Sequence, residues 1–430
     1  MNPAPVSLAW LASCDCSISR DNQTAPDMSG CHLLVISTLY PNPVQARHGI
    51  FVETRLRHLL ADGSVTATVI APVPWFPFRS SVFADYSKYR DIPRTEVRNG
   101  IEVHHPRYLV IPRIGMLLTP FFMAISIWLS ARALKSAGKV FDVVDAHYYY
   151  PDGVAVALVS RYLGKPFLVT ARGTDINLIP EYNLPRRLIL WAAKKAAASI
   201  TVCRALKDRM VELGAESDKI HVLRNGVDLD LFRLLDNEEC RKKYGLKGVT
   251  LLSVGHLTER KGHNLVIDAL LELPDAHLLL AGDGEEEANL RQQVLRLELV
   301  DRVTFLGPVS QQDLAEIYNA ADVLVLASSR EGWANVLLES MACGTPVVAT
   351  NIWGTPEVVA TPAAGVLVQE RTGPALAKGV VKLLENYPSE HETRAYAERF
   401  SWSETVDAIK CILADLRRHG MIDIGVISNT

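Results

Sequence analysis

Short apolar runs alternate along the chain with longer stretches of mixed polarity. In the first half they are His32–Ser37, Val65–Ile70, Val140–His147, Phe167–Ala171, Ile200–Cys203 and Ile220–Leu223. In the second half they are Val249–Val254, His277–Ala281, Val303–Gly307, Val323–Leu326 and Val347–Ala349. β-branched and leucine-rich runs of this length predict parallel strands buried on both faces. The stretches between them predict helices, so the fold class is α/β, and 430 residues suit two such domains. The predicted division is a tail over 1–29, a first domain over 30–228, a charged linker over 229–247, a second domain over 248–400 and a closing helix over 401–430.

The densest unit runs from Asp322 to Thr350. The strand Val323–Leu326 breaks at Ser328 to Gly332, a helix follows through Cys343 with Asn335 as its expected N-cap, and Gly344 and Pro346 stop it. The loop faces the carboxyl ends of the strands, where open α/β sheets bind ligands. Glu331 lies in that loop and Glu339 in the helix. A helix start offers unpaired N–H groups to an anion such as a phosphate. Two carboxylates beside an anion site suit a ligand with phosphate at its centre and hydroxyls at both ends, as in a nucleotide-sugar. Taken alone, the same pair also reads as a solvated loop charge and a surface helix residue.

Net charge is −3, unevenly spread: residues 1–230 carry 26 Lys+Arg against 20 Asp+Glu, and the remainder 19 against 28. A mildly basic front half suits an anionic acceptor or membrane surface and is too weak to predict nucleic-acid binding. Seven scattered cysteines form neither a disulfide framework nor metal-ligand spacing, which points to a reducing cytoplasm. Residues 1–29 lack periodicity and a signal-peptide pattern. The folded pattern starts at Cys31, with Met28 just before it, so the expectation is a disordered tail or a start codon placed too early.

Glu331-Gly332-Trp333-Ala334-Asn335-Val-Leu-Leu-Glu339, followed by Ser-Met-Ala-Cys-Gly-Thr-Pro-Val, resembles the Glu-x7-Glu element of the family-4 (group 1) retaining glycosyltransferases of bacterial polysaccharide biosynthesis. The resemblance extends over nearly all of residues 31–410. It implies the GT-B fold: two Rossmann-like domains facing across a cleft, with a final helix from about Arg399-Phe-Ser-Trp402 crossing back to the first domain. It implies a nucleotide-sugar donor (UDP- or GDP-linked) as substrate, no cofactor and no metal, and transfer with retention to a polysaccharide or lipid-linked glycan. Glu331 would contact the donor sugar and Glu339 the ribose, with Gly332, Trp333, Ala334 and Asn335 between them in the donor site.

The resemblance carries further residues. In Gly255-His256-Leu-Thr-Glu-Arg260-Lys261-Gly262, Lys261 matches a cation holding the donor diphosphate; His256 stands where relatives have Arg, and Arg260 is a candidate to compensate. Gly282 and Gly284 would let the backbone approach base or ribose. Glu287 replaces the third glycine of a dinucleotide fingerprint, which speaks against NAD. Gly49 corresponds to one of a glycine pair near the donor phosphates, beside Arg47 and His48, which could meet an anion or lie in a solvated loop. His147 resembles an active-site histidine at a strand end. Arg172-Gly173-Thr174-Asp175 stands where relatives often have His-Gly-x-Asp; Arg172 could clamp an anion bidentately, and Asp175 is either a polar contact or a helix cap.

Three features touch the acceptor side. Residues 72–94 are rich in Pro and aromatics (Trp75, Phe76, Phe78, Phe83, Tyr86, Tyr89) and would shape an acceptor pocket or pack on the domain. Ile114–Ala131 runs 18 residues without a charge and is interrupted by Pro120; a half-buried helix touching an anionic inner membrane face is expected rather than a span. Arg186, Arg187, Lys194 and Lys195 flank a helical face with Trp191, which suits a lipid surface or a plain solvated helix. The rival functions are an inactive nucleotide- or carbohydrate-binding relative and a sugar-nucleotide epimerase or phosphorylase of similar fold.

Overall fold

The structure is a computed structural model that describes residues 28–75, 88–111 and 115–427. Phe76, Phe78, Phe83 and Tyr86, and the tail before Met28, lie outside the described residues. The chain forms two compact units, one of residues up to Leu223 together with those from Val406, the other Arg224–Thr405.

The first unit is built on β1 (Cys31–Ile36), β2 (Val65–Ile70), β3 (Val73–Trp75), β4 (Thr95–Arg98), β5 (Ile101–His104), β6 (Arg107–Leu109), β7 (Val143–His147), β8 (Phe167–Ala171), β9 (Ala198–Thr201) and β10 (Ile220–Val222). Eight of these make one sheet in the order β10-β9-β8-β7-β1-β2-β5-β4, and β3 pairs with β6 separately. All neighbours run parallel except β4 against β5. Helices cover the sheet, so the central strands are apolar on both faces, and every residue of β7, β8 and β9 is buried. The polar exceptions in β7, Asp145 and His147, therefore need internal partners. From Val406 onward the last helix, Trp402–Ile427, belongs to this unit and buries Val406, Ile409, Ile412, Leu413 and Leu416 in its core.

The second unit carries β11 (Thr250–Val254), β12 (His277–Ala281), β13 (Val303–Gly307), β14 (Val323–Leu326), β15 (Val347–Thr350) and β16 (Gly365–Val368), all parallel, in the order β13-β12-β11-β14-β15-β16. The strand order reverses between β1 and β7 in the first sheet and between β11 and β14 in the second. At such a reversal the adjoining loops leave in opposite directions and open a crevice at the carboxyl ends of the strands.

Several expectations are corrected. Ordered packing starts before Cys31, because Met28 is buried in the core and its carbonyl accepts from Cys31 N–H at 2.9 Å. The stretch 229–247 is no plain linker: Asn237–Lys243 form a helix capped by Asp236. Pro120 does not interrupt its helix, which runs unbroken over Gly115–Ser136. A proline there leaves the Met116 carbonyl without its usual donor, and the Tyr150 hydroxyl supplies one at 2.5 Å.

Candidate active site

In the second unit the loops after β11 and β14 lie side by side at the reversal. Ser329 N–H donates to the Arg260 carbonyl at 2.8 Å. Arg371 ties both loops, donating to the carbonyls of Ala327 (2.8 Å) and Glu259 (2.9 Å). This framework brings Lys261 and Glu331, 70 positions apart, into an ion pair at 2.7 Å, with side chains 13% and 10% exposed. Ser328 Oγ donates to the same Oε1 at 2.7 Å, and Arg260 Nη1 reaches it at 3.2 Å while also donating to the Arg330 carbonyl. Burial alone would push the Glu331 carboxyl upward; the Lys261 and Arg260 charges, with the bonds from Lys261 and Ser328, outweigh it and hold the group below its usual value.

The helix Asn335–Ala342 starts immediately after this loop without a side-chain cap. Asn335 is its first residue rather than the expected N-cap; its Oδ1 accepts from Asn225 Nδ2 at 3.2 Å. The first-turn N–H groups therefore retain the anion preference of an uncapped helix start. Glu339 follows one turn later, its Oε2 accepting from the buried Tyr318 hydroxyl at 3.0 Å. Burial pushes Glu339 up to about 7, against the opposing pull of Tyr318 and Lys261.

Other donor-site candidates do different work. Gly332, Trp333 and Ala334 are buried; the Trp333 ring lies 5.9 Å from the Arg224 guanidinium and 6.0 Å from the Phe400 ring, which makes it a packing residue. Gly282, at φ 147°, is required because a Cβ would stand 1.9 Å from the Gly255 carbonyl oxygen; the close approach it permits is between two loops of the protein. His256 is 60% exposed between Asp283 and Glu285, each 3.6 Å away. One Asp-x-Asp triplet occurs, Asp228-Leu-Asp230, and Asp228 Oδ1 caps its own turn by accepting from Asp230 and Leu231 N–H.

In the first unit the expected ligand-facing histidine is enclosed. His147 is 2% exposed; Arg172 Nη2 donates to its Nδ1 at 2.6 Å, so Nε2 carries the hydrogen and points to Asp145 Oδ2 at 3.3 Å. Burial pushes His147 down to about 4, more than Asp145 can restore, and the ring is neutral at pH 7. With both nitrogens engaged, it holds Arg172 rather than presenting a nitrogen outward. The Arg172 guanidinium lies 5.2 Å from the Phe51 ring centre, and Arg55 is buried nearby, donating to Thr170 at 3.3 Å.

Asp175 is buried and accepts from the N–H groups of Tyr149, Arg172 and Gly173, which makes it the fastener of its own loop. Asp152 accepts from the N–H and hydroxyl of Thr38, and His48 Nε2 donates to the Thr38 carbonyl at 3.1 Å, so the loop after β1 is tied to the segment after β7. Gly49 precedes the helix Ile50–Leu60 at φ 65°, and Arg47 is exposed. Trp75 and Arg94, with Pro106, Arg107, Ser126, Leu129, Ser130 and Ala133, line a separate cavity of about 540 Å³.

Sequence reasoning missed Tyr318, Ser328, Arg371, Asp152 and Asn225. Each acts by holding a site residue or the loop that carries one, and only Ser328, in the loop singled out from the sequence, carried any local signal.

Two layered α/β units, each with a strand-order reversal at the carboxyl ends of its strands, and a Lys–Glu pair ahead of an uncapped helix fit a glycosyltransferase of the GT-B type. The chain belongs to the group 1, family 4 glycosyltransferases: the family model described as Glycosyltransferase Family 4 matches residues 47–231, and that of Glycosyl transferases group 1 matches 236–400. It is 31% identical over 314 residues to the D-inositol 3-phosphate glycosyltransferase of Acidothermus cellulolyticus, covering 67% of this chain and 70% of that one. It is 28% identical over 361 residues to the Bacillus subtilis protein described as "Putative teichuronic acid biosynthesis glycosyltransferase TuaC", covering 81% and 88%. In fold it is similar to Anabaena HepE in complex with UDP, with a TM-score of 0.67, 21% identity and coverage of 90% and 100%.

Proposed function

We propose that the protein transfers a sugar from a UDP- or GDP-linked donor to a hydroxyl of a growing polysaccharide or lipid-linked glycan, with retention and without a metal cofactor. The Lys261–Glu331 pair beside the uncapped start of Asn335–Ala342 carries this reading. In transfer, the bond between the sugar's anomeric carbon and the phosphate oxygen breaks, and a bond to the acceptor oxygen forms. The acceptor's proton leaves with the departing phosphate or to water. The principal demand is stabilising the diphosphate leaving group, which Lys261 and the first-turn N–H groups can meet with fixed charges and dipoles. Glu331 then turns from Lys261 to the sugar, and Glu339 takes the ribose hydroxyls. UDP in the HepE structures supports a nucleotide donor.

The acceptor side is assigned to the first unit, where Arg172, buried and seated on His147, is the cation offered to an anionic acceptor group. The helix Gly115–Ser136 is long and apolar enough to cross a membrane by length and composition. Its exposed Leu117, Phe121, Ile125 and Leu129 repeat every four residues, next to Arg132 and Lys135. That stripe suits peripheral contact with an anionic membrane on the cytoplasmic side.

The test is release of nucleotide from UDP- and GDP-sugars in the presence of a chelator, with and without glycan acceptors. Acceptor-dependent release is expected, falling at least about 100-fold in Lys261→Ala and Glu331→Gln with both variants folded. Wild-type rates in either variant would overturn the assignment.

A further inference from the structure

Tyr318 belongs to none of the motifs that carry the family resemblance, yet it makes the one side-chain hydrogen bond to Glu339 among the described residues. Its placement is fixed from several directions. It lies in the last turn of the helix Gln311–Ala320 and is fully buried. Phe232 packs edge-on against its ring at 5.9 Å, and its carbonyl accepts from the Thr345 hydroxyl at 2.6 Å. A buried phenol needs a hydrogen-bond partner, and here the partner is a carboxylate of the donor site.

We propose that Tyr318 is the positioning residue of the nucleotide site: its hydroxyl fixes Oε2 of Glu339 and leaves Oε1 to accept from a ribose hydroxyl. This rests on the assignment of Glu339 to the ribose made above. An ionised carboxylate accepts hydrogen bonds at both oxygens, whereas a protonated one turns one oxygen into a competing donor. Nucleotide binding therefore selects ionised Glu339. Burial opposes that state, and the Tyr318 bond favours it.

The groups facing Glu339 are Tyr318, Lys261 from the loop after β11, and Cys343 one turn further along its own helix. Burial and the Glu339 charge hold the Cys343 thiol far above its usual range, so it stays protonated near neutrality. Glu339, which burial pushes up to about 7, changes its charge around neutrality. Removing the phenol hydroxyl moves its ionisation to higher pH, and a midpoint raised by one pH unit weakens binding by a factor that approaches about tenfold well below both midpoints.

The experiment titrates UDP, GDP and ADP calorimetrically into the full-length protein, Tyr318→Phe, Glu339→Gln and the double variant, from pH 6 to 9. The variant-to-wild-type ratio of Kd cancels the nucleotide's own titration. For Tyr318→Phe the ratio should be about eightfold at pH 6.5 and approach one at pH 9, and the double variant should bind no more weakly than Glu339→Gln. A ratio that is constant with pH, or equal to one throughout, overturns the inference and leaves the donor site standing. An unchanged Kd in Glu339→Gln, or no binding of any of the three nucleotides by the wild type, overturns the donor assignment and the inference together. If Tyr318→Phe does not fold, the pH dependence of wild type against Glu339→Gln decides: parallel profiles overturn the inference.

Discussion

Replacing Lys261 by Met removes the cation from Glu331 and leaves the carboxylate nearly as enclosed as before. Stripping one partner from a buried ion pair costs about 3–5 kcal/mol. Arg260, at 3.2 Å, and Ser328, at 2.7 Å, remain on the same oxygen and offset part of that loss, so about 2–3 kcal/mol is expected at neutral pH. For a domain of 150–250 residues each kcal/mol is worth about 2–4 °C, which puts the fall in Tm at about 5–10 °C. The sign with pH follows from the direction in which the carboxyl is displaced. Glu331 sits below its usual value, so the stability it contributes is present above the unfolded carboxyl value, near 4.3, and disappears as pH falls through the depressed one. The measurement is scanning calorimetry at pH 7.5 on the wild type, Lys261→Met, Glu331→Gln and the double variant. The double variant should be more stable than Lys261→Met alone, because it no longer holds an uncompensated charge. Lys261→Met within about 0.5 kcal/mol of the wild type, or strictly additive losses, would refute the picture of a desolvated, coupled pair.

Two further changes test the first unit. Gly49→Ala should cost at least about 2 kcal/mol in urea denaturation, since its φ of 65° disfavours an L side chain and the new Cβ would stand 2.2 Å from the Leu39 carbonyl carbon; a loss below about 1 kcal/mol would contradict that geometry. Burial pushes Asp152 up to about 7, so the folded state holds its proton more tightly than the unfolded chain does. The wild type should therefore lose stability relative to Asp152→Asn as pH rises from about 4 to 7, and a flat difference across that window would remove Asp152 as a buried titrating group.

The alternation of apolar runs with amphipathic stretches determined the layers, because a strand covered on both faces has to be apolar along its whole length. β1, β7, β8, β11 and β14 were legible for that reason. β16 was not, since Gly-Val-Leu-Val is too short to stand out, and the helix over 237–243 was hidden because it is polar almost throughout and shows no apolar period. Glu331 and Glu339 were legible because they flank a helix start whose backbone chemistry already suggests an anion, and Lys261 was legible through the resemblance of its motif to the family's. What those residues touch was decided only by the tertiary structure. The 70-residue separation of Lys261 and Glu331 closes because β11 and β14 are neighbours in the sheet. His147 was read as facing a ligand from its place at a strand end. It is instead held between Asp145, two residues away on the same face of its strand, and Arg172 at the end of the adjacent β8. Tyr318 and Arg371 left no trace in the sequence at all. Their function lies in a single hydrogen-bonding group meeting a distant partner, and periodicity records burial but not the direction in which a buried polar atom points.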